Sequence, residues 1–110
     1  MPTILPGSTI GILGGGQLGR MTALAAREMG YGVIVMDPDA DCAARGVADR
    51  VIVGSFDDSA AAAELARHSA VVTYEIEKIA PAVLVAAGAH APLRPSGKPA
   101  RFDSPSATYW

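Results

Sequence analysis

The stretch GILGGGQLGRM, residues 11–21, sets three consecutive glycines between an apolar, β-branched run and an amphipathic one. Residues 9–13 are short, uncharged and β-branched, the pattern of a fully buried strand. Residues 17–29 carry Leu18, Met21, Leu24, Ala25 and Met29 on one helical stripe, with Arg20, Arg27 and Glu28 largely off it. A glycine loop therefore joins a strand to a helix at the carboxyl edge of a sheet. The first backbone N–H groups of such a helix have no internal partner, and the helix dipole leaves partial positive charge on them. A phosphate can accept those hydrogen bonds. Side chains at Gly14 or Gly16 would block the turn or the ligand's approach, and Gly19, one turn on, permits close helix–strand packing. Gly14, Gly15, Gly16 and Gly19 thus form a candidate phosphate loop. The same glycines would also serve a tight turn and close packing with no ligand at all.

Working outward, Gly30 and Gly32 end the helix, and residues 33–36 form a second buried strand stopped by DPD at 37–39. A short helix falls around 42–46 and a third strand at 51–53. FDDS at 56–59 offers N-caps for an alanine-rich helix over 59–67. Residues 70–74 are a fourth strand, and Pro81 suits the first turn of a helix running to about residue 87 and closing at Gly88. Strands alternating with helices predict an α/β fold. Its expected form is a Rossmann-like parallel sheet of four or five strands with helices on both faces. This domain is expected over 1–95. Beyond it, the proline-containing run 96–110 has no periodicity and reads as an irregular or disordered tail.

Composition narrows the function classes. The chain has 110 residues, 50% hydrophobic but only 5% aromatic, so its core must rest on aliphatic side chains and alanine. A net charge of −2 gives no basic surface for nucleic acid. The single cysteine, Cys42, excludes an internal disulfide and fits a reducing, cytoplasmic setting. No run approaches the roughly 20 apolar residues of a membrane span. His68 and His90 have no metal-ligand spacing around Cys42. No metal site and no catalytic nucleophile–base pair is expected. Tyr31 is expected to pack against the first helix.

Two acidic positions carry alternatives. Asp37 ends the second strand; in dinucleotide-binding domains an acid near this point holds the ribose hydroxyls. It also suits a solvated turn before Pro38. TYEIEKIAP, residues 73–81, leaves the fourth strand at the same sheet edge as the glycine loop. In an extended chain Thr73, Glu75 and Glu77 face one way, where the two carboxylates could accept sugar hydroxyls or an amine. They would equally serve a solvated loop, with Lys78 pairing one of them.

GILGGGQLGRM, MDPDAD, VADRVIVGSFDD and VTYEIEKIAP, in this order, resemble the amino-terminal domain of the 5-(carboxyamino)imidazole ribonucleotide synthase family. These are ATP-grasp ligases of purine biosynthesis, and the resemblance covers roughly 9–95. It implies ATP- and bicarbonate-dependent carboxylation of the amine of 5-aminoimidazole ribonucleotide, assisted by magnesium. It also implies that this domain walls the ribonucleotide pocket and does not itself bind ATP. Carried over, Gly16, Gln17 and Leu18 offer contacts at the loop and helix start, while Glu75, and beside it Glu77, face the substrate. After about residue 96 the family pattern is lost. The chain is accordingly expected to be a truncated domain, inactive and without bound cofactor when alone, with exposed apolar surface that favours self-association. The alternative is a stand-alone NAD- or nucleotide-binding module using Asp37.

Overall fold

The computed structural model describes residues 5–74 and 80–94. Glu75, Glu77 and the tail expected over 96–110 lie outside the described residues. Five strands form one all-parallel sheet in the order β3-β2-β1-β4-β5. They are β1 (Thr9–Leu13), β2 (Gly32–Asp37), β3 (Arg50–Val53), β4 (Val71–Tyr74) and β5 (Leu93–Arg94). Helices α1 (Gln17–Glu28), α2 (Ser59–Arg67) and α3 (Pro81–Gly88) connect them, with a 3₁₀ turn at Ala43–Gly46. The expected elements are all present. The fifth strand has only two residues, too few for any sequence period, and is placed by the pairing of Val72 with Leu93. No helix among the described residues is long and apolar enough to cross a membrane.

Alternation along the strands divides the core in two. Ile12, Val33 and Val35 face Ala23 and Ala26 of α1 and Ala44 of the 3₁₀ turn. Leu13, Ile34, Met36 and Val72 face Leu65 and Ala66 of α2 and Val83 and Ala87 of α3. The sheet is thus covered on both faces. Asp58 caps α2 by accepting from the Ala61 N–H at 3.0 Å, and Pro81 opens α3, both as their positions in the sequence predict. Tyr31 packs at the margin of the α1 cluster, as expected.

The stripe expected on α1 is overturned. Leu18, Met21 and Met29 are each more than 60% exposed, and the residues turned to the sheet are Gly19, Ala23 and Ala26. The reason is distance. A helix pressed against the loop and sheet can present only small side chains there, so the long ones are driven outward. Hydrophobicity alone selects the wrong face.

Asp49 fastens α1 and β2 to the start of β3. Its Oδ2 accepts from the Val33 N–H at 2.8 Å, its own N–H donates to the Val33 carbonyl, and its Oδ1 meets Arg27 Nη1 at 2.7 Å. The Val33 amide first, and Arg27 second, hold its carboxyl below the usual aspartate range. Because the folded pKa is lowered, the stabilisation is present above the unfolded pKa and lost as pH falls through the folded one. Asp49→Ala is expected to cost about 1–2 kcal/mol at pH 7. Urea unfolding at pH 7 and pH 3 should show that gap narrowing in acid; a gap of equal size at both would remove the charge from the account.

Candidate functional site

The strand order reverses between β1 and β4: the chain first builds outward to β3, then returns to β1's other side. Ligands of open α/β sheets lie in the crevice outside the carboxyl ends at such a point. A cleft of about 230 Å³ lies there. Its floor is Ile12, Leu13 and Gly14; Gly16, Gln17, Leu18 and Gly19 form the helix side, with Thr22 one turn further and Thr73 on β4. Ile12 pairs with Thr73 and Leu13 with Tyr74, which fixes the two rims in register. Burial pushes the Tyr74 phenol above its ordinary pKa.

Five of the residues singled out from the sequence therefore meet in one cleft. Glu75 and Glu77 follow Tyr74 in the chain and lie outside the described residues. Thr73, which the alternation along TYEIEKIAP sets on the same side as Glu75, lines the cleft. Thr22 was not singled out, although it stands three residues from Gly19 and extending the helical pattern by one step reaches it.

The four loop glycines have different reasons to be glycine. Gly14 has φ +116°, a conformation that L side chains rarely adopt. A Cβ on Gly15 would meet Cys42 Sγ at 2.5 Å and Val35 Cγ1 at 2.9 Å. A Cβ on Gly19 would collide with the Gly14 carbonyl, so the close approach there is to the loop's own backbone, with Ile12 of the strand further off at 3.7 Å. Gly16 has φ −71° and open space where its Cβ would be. Nothing in the fold requires glycine at 16.

Three backbone groups of the loop are spoken for. The Gly14 N–H donates to the Met36 carbonyl at 2.8 Å, and the Gly15 carbonyl accepts from the Ala44 N–H at 2.8 Å. The Gly15 N–H donates to Asp37 Oδ2 at 2.8 Å. Gly16 is the N-cap of α1 and offers no side-chain acceptor, and the first turn holds no acid. Gly16, Gln17 and Leu18, which open the helix, line the cleft, and no anionic side chain of their own helix stands in that turn.

Asp37 is more than the solvated turn acid that its place before Pro38 suggests. Its Oδ1 does accept the Asp39 N–H at 2.9 Å, as a turn aspartate would. The other oxygen is turned inward onto Gly15, so the carboxylate stands beneath the loop. Cys42 packs nearby, and its thiol is pushed up by burial first and by the Asp37 charge second. His68 pairs with Glu64, and both it and His90 are exposed. Among the described residues no three His, Cys, Asp or Glu side chains stand together as a metal site.

Residues 7–101 match the ribonucleotide synthetase preATP-grasp domain family. An N5-carboxyaminoimidazole ribonucleotide synthase of Brucella melitensis is 56% identical over 77 residues, covering 70% of this chain and 21% of the relative. An N5-carboxyaminoimidazole ribonucleotide synthetase crystallised with ADP superposes with TM-score 0.80 at 53% identity, over 86% of this chain and 25% of that one. The Aspergillus clavatus synthase, solved with ADP and 5-aminoimidazole ribonucleotide, gives TM-score 0.72 at 33% identity, over 82% and 24%. The chain spans about a fifth of the length of the curated relatives it matches.

Gly19→Val is expected to destabilise the fold by more than about 2 kcal/mol, because a branched side chain would drive α1 off the Gly14 carbonyl. A thermal unfolding midpoint close to that of the unaltered protein would show that the helix can move away at little cost.

Proposed function

The chain belongs to the ribonucleotide synthetase preATP-grasp family, and on that premise we propose that it forms the ribonucleotide-facing wall of an N5-carboxyaminoimidazole ribonucleotide synthase. In that reaction ATP activates bicarbonate as carboxyphosphate. The exocyclic amine of 5-aminoimidazole ribonucleotide attacks its carbon, and phosphate leaves as the new carbon–nitrogen bond forms. Among the described residues no three His, Cys, Asp or Glu side chains stand together to hold magnesium. By itself the chain carries no carboxylase activity.

The observation that carries this reading is Gly16. Three glycines of the loop are explained by backbone conformation or collision, and the fourth is not. A ligand's approach accounts for it: a phosphate drawn to the start of α1 needs the space a side chain would fill. Gln17 and Leu18 then supply backbone N–H groups, while Gly14, Gly15 and Gly19 set the loop's shape. Ile12, Leu13 and Leu18 give an apolar seat to the less polar part of the ligand. Glu75 follows Tyr74 directly and takes a ribose hydroxyl or the amine, with Glu77 a lesser contributor. A carboxylate beside the phosphate would meet like charge at short range, which is unfavourable in a half-buried site.

The dinucleotide reading fares worse. Its ribose acid would be Asp37, which is folded back onto Gly15, and the Gly15 donor that a pyrophosphate would use is already engaged. Exposed Leu18 and Met21 also leave apolar surface beside the cleft. Weak self-association of the 110-residue chain through that face follows.

Gly16→Ser separates fold from function, because serine is at least as good an N-cap as glycine. Stability should hold within ~0.5 kcal/mol or rise, while amide shifts at residues 16–18 on adding 5-aminoimidazole ribonucleotide should vanish. Unchanged binding would end the case for a ligand at Gly16. In a full-length enzyme, Glu75→Gln is expected to raise the KM for the ribonucleotide about tenfold or more and leave that for ATP nearly unaltered. The reverse pattern, ATP use lost and ribonucleotide use kept, would assign this wall to the other substrate.

A further inference from the structure

We propose that Asp37 is a positioning residue of the cleft: pinned by two backbone amides, its carboxylate fixes Gly15 and so sets where Gly16 and the start of α1 meet a phosphate. This rests on the ligand-facing reading of Gly16.

Successive amides of an extended strand point to opposite neighbours. Here the Gly14 and Gly15 amides both reach the end of β2, one to the Met36 carbonyl and the next to the Asp37 side chain. The positive φ of Gly14 permits that reversal. It turns the Gly15 N–H away from β4, the neighbour to which an extended chain would direct it. Gly15 is buried, so an unmet donor there would be unfavourable. Aspartate at the last position of β2 reaches it, and an ionised acceptor makes the bond stronger than a neutral one.

The second oxygen completes the device. Because Oδ1 accepts from the Asp39 N–H, the carboxylate cannot swing freely about its own side chain. Asp37 is therefore held from behind by its own turn and holds the loop in front. The Gly15 carbonyl, bonded to the Ala44 N–H, anchors the same peptide from the other side. Gly16 is the first residue past these anchors. An error in Gly15 is passed directly to the N-cap and to the amides of Gln17 and Leu18.

What matters in this account is where the acceptor oxygen lies. An asparagine can place its amide oxygen at the same point before Gly15, although its NH2 then faces the Asp39 N–H and the hold from behind is lost. A glutamate keeps the charge but displaces the oxygen by one methylene. The test is an amide-resolved titration of the 110-residue chain with ribose 5-phosphate, alongside unfolding midpoints and Gly15 amide exchange. Asp37→Ala and Asp37→Glu are both expected to weaken binding about tenfold or more and to speed Gly15 exchange. Asp37→Asn, which keeps the bond to Gly15 and gives up the one to Asp39, should bind at least about threefold more tightly than either, short of the unaltered chain. Rescue by glutamate instead of asparagine would overturn the positioning role, because charge alone would then suffice. Equal binding by all the Asp37 variants, with Gly16→Ser defective, would overturn it while leaving the cleft's assignment intact. Absence of any shift at residues 16–18 in the unaltered chain would overturn both. Should Asp37→Ala fail to fold, the contrast between the Asn and Glu variants decides the matter unaided.

Discussion

The carbonyl of Gly14 stands so close to the first turn of α1 that residue 19 has room for a hydrogen and nothing larger. Much else follows from that approach. A helix beginning so near the sheet must present Ala23 and Ala26 on the turns that follow, since a longer side chain would pry it away. The larger apolar residues of α1 are then forced outward. Leu18 becomes the side of a cleft, and Met21 lies beyond it. The shape of the candidate site is thus a consequence of how closely two of its own lining residues, Gly14 and Gly19, pack.

The opposite face of the sheet is built on another principle. There Leu65, Val83 and Leu93 meet Leu13, Met36 and Val72, and bulk rather than proximity fills the space. The division follows the pleat: neighbouring strand residues serve different layers, so Ile12 supports α1 while Leu13 supports α2 and α3. The same strand that leads into the glycine loop therefore ties both layers to it. Close packing on either side leaves the loop little freedom to wander.

Sequence patterns disclosed β1 to β4 because each is a short, β-branched and nearly uncharged run, fully buried at the centre of the sheet and only partly so in β3 at its edge. They disclosed α2 and α3 because Asp58 and Pro81 are chemically suited to helix starts. The inward face of α1 was not legible, since glycine and alanine carry little hydrophobic signal and Leu18, Met21 and Met29 carry a misleading one. β5 lacks the length for a period, and only pairing with β4 defines it. In the site, the glycine spacing located the loop, yet spacing could not say which glycine was spare. That distinction needs Cys42 and Val35 seen against Gly15, and both are distant in the chain. The hold of Asp37 on Gly15 was hidden for a like reason: 22 positions separate them, and only the parallel pairing of β1 with β2 brings them together.

A glycine-rich loop is commonly taken as a single signal, but these four residues carry separate constraints. Gly14 answers to a torsion angle, Gly15 to two side chains, and Gly19 to a carbonyl. Each would persist in a protein that bound nothing. Only Gly16 lies where the fold is indifferent to a side chain, and it lies at the positive end of α1 beside a cleft at the sheet's reversal point. Glycine is a modest N-cap, and serine or aspartate there would satisfy an amide that glycine leaves open. A fold shaped for stability alone would favour the better cap. On the proposed function, the open amides and the empty space at Gly16 are one feature, a weak cap in the free protein that a bound anion would complete.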